Sequence, residues 1–261
     1  MRYASFLFDF AVAGTLVWEV AHFLGRFRQL KVAVASGDPG ARTRLYRHAL
    51  AFEWIVVVLA LVALALGRRS LDPRALALDP SPLVRPLAGG GPARSGLVVG
   101  VLIGLTLGTL AFVVVRLRGR RRTGAPAASA SRWRRLLPDF TAMLPITPRE
   151  RLLWLAVAIS AGICEEIVFR GWLLAFLHGP AGLSGTGLIL AAAALFGLAH
   201  AYQGVPGIVL TAYAGLVFCV LYVATGSLLV PIVLHALVDA RFAVLPAGRV
   251  PQSAGAEAST P

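Results

Sequence analysis

Gly162-Ile163-Cys164-Glu165-Glu166-Ile167-Val168-Phe169-Arg170-Gly171 sets two adjacent carboxylates and an arginine inside an otherwise apolar run. Residues 152–164 before the pair and 171–177 after it carry no charge. Taken as one helix, the run is of membrane length with Glu165 and Glu166 near its middle, where an ionised carboxylate costs at least ~3 kcal/mol. A partner or a task must offset that cost. The start of the helix is also marked: Thr147 is in N-cap position, Pro148 takes the first helical position and Glu150 sits in the first turn.

The whole chain agrees with a membrane setting. Its 261 residues are 57% hydrophobic and 14% charged, and the mean hydropathy is +0.76, outside the range of soluble domains. Further apolar runs at 3–24, 49–66, 96–115, 183–201, 207–224 and 227–245 bring the expected spans to seven, since about 20 residues cross a ~30 Å core. The expected fold is all-α, a polytopic membrane helix bundle. The expected organisation is an N-terminal region 1–131 with three spans, a core 132–245 with four, and a polar tail 246–261. A secretory leader is not expected, because Asp9 and Glu19 interrupt the first apolar run.

The net charge of +13 sits in short segments between the apolar runs, which excludes a basic nucleic-acid face and fits topogenic charge. A basic loop is expected over 26–47, Pro- and Gly-rich loops over 67–94, and the most basic loop over 116–150, with an interfacial piece at 133–144. This distribution favours an external N-terminus. Asp9, Glu19 and His22 on the first span read as interior-facing or headgroup-level residues without a catalytic role. Cys164 and Cys219 lie in apolar segments and read as packing residues, as does Phe196, with His178 in a loop.

Ionisable residues recur on three of the later spans: Glu165, Glu166 and Arg170, then His200, then His235 with Asp239. At 1.5 Å rise per residue, Glu165 and Asp239 each lie ~18 Å, and His200 ~25 Å, from span ends on one side of the membrane. The groups therefore converge on one layer. Adjacent helical residues differ by about 100°, so the two glutamates serve different ends. Glu166 can pair with Arg170 at i, i+4, leaving Glu165 as the freer carboxylate and a candidate general base acting on water. His200 could polarise that water, His235 could donate to an oxyanion, and Asp239 could orient His235. Alternatively, His200, His235 and a carboxylate could hold zinc with an open position.

These residues resemble the three motifs of the CAAX prenyl protease and bacteriocin-processing (CPBP) family: Glu165-Glu166-x-x-x-Arg170, Phe196-x-x-x-His200 and His235-x-x-x-Asp239, in that order on successive helices. The likeness covers roughly 140–243. It implies an intramembrane endopeptidase in which Glu165 activates water, His200 assists, and His235 with Asp239 lines an oxyanion site. CAAX-cleaving members carry Asn where this chain has Asp239, so orienting His235 is the role that Asp239 chemically suits, because an ionised carboxylate cannot donate. The family is described in both metal-dependent and glutamate-dependent terms, so the resemblance leaves zinc open. It implies a peptide or protein substrate at the lipid bilayer, no nucleic acid, and a multi-pass location in a bacterial cell membrane. A non-catalytic scaffold or immunity protein that keeps the motifs is the alternative reading. A coupled transporter ranks below it for want of an internal repeat of broken helices.

Overall fold

The computed structural model describes residues 2–66, 140–179 and 181–244, with Gly100 and Gly104. Apart from Gly100 and Gly104, the expected third span lies outside the described residues, as do the loops 67–94 and 116–139 and the tail 246–261. Among the described residues all regular structure is helical. Four helices among the described residues are long and apolar enough to cross a membrane: Phe6–Ala35, Ala41–Leu66, Pro148–His178 and Ala201–Thr225.

The first helix, α1 (Arg2–Ala35), and the second, α2 (Ala41–Leu66), are longer than the apolar runs that define them. The basic loop expected over 26–47 is not formed. Arg26, Arg28 and Lys31 continue α1, and Arg42, Arg44 and Arg47 open α2. Neither glycine nor proline interrupts the chain between Arg26 and Ala35, and Arg, Lys, Gln and Leu are good helix formers whose long stems can carry charge beyond an apolar layer. The turn is confined to Ser36-Gly37-Asp38-Pro39-Gly40. Gly37 takes a left-handed conformation (φ 82°), and the Asp38 and Gly37 amides return to the carbonyls of Ala33 and Val34, a Schellman ending. Asp38 accepts from the Gly40 amide and from Arg44. The Arg44 hydrogen bond holds the Asp38 carboxyl below its ordinary range.

Of the expected interfacial piece, 140–144 is described, and it is packed inward rather than spread at an interface. A 3₁₀ turn, Thr141–Met143, is stitched to α2: Arg42 Nε donates to the Ala142 carbonyl at 2.8 Å, and the Tyr46 hydroxyl donates to the Met143 carbonyl. Met143 and Leu144 are buried beside Tyr46 and Trp154. The third helix, α3 (Pro148–Glu166), then begins as its sequence predicts, with Thr147 and Glu150 forming a reciprocal capping box. Its Glu150 also accepts from the Ile146 amide at 2.8 Å.

After Glu166 the same rod changes register. Ile167–Leu173 is π-helical, and the α form resumes in α4 (Leu174–His178). The remaining elements are α5 (Gly185–Ala199), a 3₁₀ turn Ala201–Gln203, α6 (Gly204–Thr225) and α7 (Leu229–Val244). Gly226 closes α6 in a left-handed conformation, its amide bonded to the Tyr222 carbonyl, at the break expected between the last two runs. Gly204 and Pro206 open α6, because proline is tolerated in a first turn where its missing N–H has no partner to lose.

α3 packs against α2 on one side and α7 on the other, and α5 packs along α6. Two glycines permit the closest approaches. A Cβ on Gly162 would meet the Ala236 amide nitrogen and the Ile232 carbonyl at 2.9 Å, and one on Gly197 would meet the Ile208 carbonyl at 2.6 Å. The principal core draws Val12 from α1, Val57 and Ala60 from α2, Cys164 from α3, Trp172 from the π segment and Phe196 from α5. Leu7, Phe10, Val17, Leu152, Ile159, Val209 and Leu237 face outward. A belt of this kind is unfavourable in water and suits lipid, as expected of an integral membrane protein.

Candidate active site

The π segment begins directly after the paired glutamates and carries Arg170 within it. Glu166 is fully buried and Arg170 is 1% exposed. Arg170 Nη1 donates to Glu166 Oε1 at 2.9 Å, as the spacing predicts, and its Nη2 donates to the Gly215 carbonyl on α6 at 3.1 Å. The guanidinium also lies over the Phe196 ring, 4.5 Å from its centroid. Phe196 does pack, as expected, and its ring is the surface on which the arginine rests.

Glu166 has a second partner. His235 Nδ1 stands 2.8 Å from Glu166 Oε1, and a carboxylate paired with arginine accepts, so the ring donates from Nδ1 and turns Nε2 toward Glu165 and Asp239. The ring plane is fixed by stacking on Phe218, with centroids 5.2 Å apart. The orienting partner expected for His235 was Asp239. In the structure Asp239 Oδ2 is 3.6 Å from Nε2, beyond hydrogen-bond length, and Glu166 does the orienting. An i, i+4 spacing on one helix is visible in sequence, whereas contact between α3 and α7 depends on how they pack. Asp239 is itself placed through its backbone carbonyl, which accepts from Trp154 Nε1 at 2.9 Å.

His200 ends α5, where the chain leaves helical geometry. Its Nδ1 lies 2.9 Å from the Phe196 carbonyl, which can only accept, so this ring too carries its proton on Nδ1 and presents Nε2. Glu165 Oε2 is 3.9 Å from His200 Nε2 and 3.9 Å from His235 Nε2. The structure thus gathers all six expected residues in two layers. Glu165, His200, His235 and Asp239 border a cavity of about 600 Å³, and the Glu166–Arg170 pair lies buried behind them.

Among the described residues, no group of three or more His, Cys, Asp and Glu side chains has a metal-binding arrangement.

Sequence reasoning missed Glu53. It is the charged residue of the apolar run 49–66, and its side chain lines the same cavity from α2. An intramembrane carboxylate is signal enough to find it, but no partner at helical spacing drew attention to it. Asp9 and Glu19 do face the interior: Asp9 accepts from Trp172 Nε1 at 2.8 Å, and Glu19 Oε1 meets His48 Nε2 at 3.0 Å. His178 ends α4, its Nδ1 3.0 Å from the Leu183 carbonyl, and both cysteines are buried and unbridged.

The apolar helical bundle thus sets a glutamate, two histidines and an aspartate around one internal cavity. Residues 147–241 match the family model for the Rce1-like, type II CAAX prenyl endopeptidases, so this segment carries the family resemblance read from its motifs. The family points to a membrane peptidase. Neither the curated proteins nor the solved structures hold a match to the chain.

Proposed function

We propose that this protein is an intramembrane endopeptidase that hydrolyses a peptide bond of a membrane-associated, prenylated-type protein or peptide through a water activated by Glu165. The observation that carries this reading is the placement of Glu165 Oε2 at 3.9 Å from both imidazole Nε2 atoms. Separations of that size are too long for direct bonds and are spanned by a bridging water. A water held there gives one hydrogen to Glu165 and the other to His200 Nε2. As its oxygen attacks the substrate carbonyl carbon, Glu165 takes the first proton. His235, when protonated, donates from Nε2 to the developing oxyanion, with the carboxylates of Glu166 and Asp239 beside the ring. The C–N bond then breaks, and Glu165 returns its proton to the leaving amine. Glu166 and Arg170 hold this arrangement from behind without touching the substrate.

The bundle that houses the reaction has about seven spans in this reading, the third at 96–115, within a multi-pass protein of a bacterial membrane. Cleavage of a quenched-fluorescent peptide library, some members prenylated, tests the proposal with purified protein in detergent. Glu165→Gln is expected to lower kcat by at least ~100-fold while the protein still folds. Activity lost to a chelator and restored by zinc would replace the glutamate-activated water with a metal centre. Wild-type protein that cleaves no member would favour a non-catalytic scaffold.

A further inference from the structure

Among the described residues, the interior carboxylates have side-chain partners, and outside the reacting group Glu53 is the exception. Glu166 has Arg170 and His235, Glu19 has His48, Asp9 has Trp172, and Glu150 has Arg42 and its capping box. Glu53 has no ion-pair partner among the described residues; Ser160 on α3 is a polar neighbour. Its Oε2 is buried without a hydrogen-bond partner. The side chain opens on the cavity that holds Glu165, and the described lining of that cavity carries Glu19, Glu53, Glu165 and Asp239 against Arg241. A buried carboxyl with no ion-pair partner among the described residues is held neutral by a proton until a cation that enters the cavity offers it a charge to pair with.

We propose that Glu53 is a specificity-determining residue that receives the cationic side chain, Lys or Arg, of the peptide occupying the cavity. This rests on the peptidase reading for its consequence in catalysis, though not for its consequence in binding. Residue 53 lies outside the matched segment 147–241, so the selectivity is supplied by α2, while the reacting groups come from α3, α7 and the end of α5. The Glu53 carboxyl and Glu165, which is carried on α3, line the same cavity. A bound cation would then pair with Glu53 in a site of low dielectric, where an ion pair discriminates strongly against a neutral or acidic competitor.

The test uses the full chain in detergent and peptides that differ at one scanned position, carrying lysine, norleucine or glutamate. At one position lysine is expected to raise kcat/KM about 10-fold or more over norleucine, equivalent to ~1.4 kcal/mol. The ratio is expected to fall to near 1 in Glu53→Gln, which keeps the shape and removes the charge. A wild-type protein indifferent to lysine at every position, or a preference that survives Glu53→Gln, overturns the proposal. The same peptides are also titrated by fluorescence anisotropy against Glu165→Gln protein, which reads the preference without turnover. A lysine preference in binding without wild-type cleavage counts against the peptidase reading and leaves Glu53 supported, whereas flat affinities across the series count against Glu53 itself.

Discussion

Glu166 illustrates how much one buried carboxylate can hold. It neutralises Arg170 at 2.9 Å, and through the same oxygen it fixes the proton of His235 at 2.8 Å. Glu165, one residue away and about 100° around the helix, meets the cavity instead. Replacing Glu166 by alanine leaves a guanidinium in the core without a carboxylate, beside the Gly215 carbonyl and two aromatic faces. The expected cost is about 3–5 kcal/mol, seen as a lowered melting temperature and a poor yield of monodisperse protein. Unchanged melting would remove the ion pair from the list of what stabilises the fold. Because the Glu166 contacts lie behind the cavity, any folded fraction is expected to lose kcat more than KM, through a misplaced His235.

The elements owe their positions to local breaks in regularity. The π segment Ile167–Leu173 follows the glutamates at once. Its wider turn separates the directions in which α3 and the rest of the rod point their side chains, so Arg170 reaches Gly215 on α6 while Trp172 reaches Asp9 on α1. Such π insertions recur at functional positions. On the opposite side, Gly162 lets α7 approach until a Cβ would stand 2.9 Å from backbone atoms of residues 232 and 236, one turn or less from His235. Gly162→Ala is expected to push the two helices apart and to cost about 1–3 kcal/mol, measured as a fall in melting temperature. Cleavage should fall further than stability predicts, since α7 carries both His235 and Asp239. A variant that matched wild type in both would show that the contact yields freely.

At the scale of the molecule, the matched segment does not stand alone. α2 forms one wall of the cavity with Glu53, Phe52 and Val56, and α1 contributes Glu19 and Phe23. The same helices supply Asp9 to Trp172 and Arg42 to Glu150. A chain lacking residues 1–66 is therefore expected to expose the core face of α3 and to give no monodisperse peak by fluorescence-detected size exclusion. A truncated chain that eluted as a single species and cleaved peptide would show that the later helices form the site unaided.

Charge-free runs and their hydropathy were enough to read a helical membrane protein from the sequence, because burying a backbone in lipid leaves few alternatives to helix. The intramembrane Glu165, Glu166, Arg170, His200, His235 and Asp239 were legible for the same reason: ionisable groups are costly there and stand out against apolar neighbours. Pairing within one helix, Glu166 with Arg170, followed from spacing alone. Helix ends were less legible, since Arg26, Arg28 and Lys31 read as a loop by charge yet keep helical hydrogen bonding as far as Ala35. What only the tertiary structure decided were contacts between helices. Glu166 rather than Asp239 orients His235, Trp172 meets Asp9 across 163 positions, and Glu53 shares a cavity with Glu165. No periodicity records these, because the distance between side chains on different helices depends on how closely the rods approach and how each is rotated, and both are set by the packing of the whole bundle.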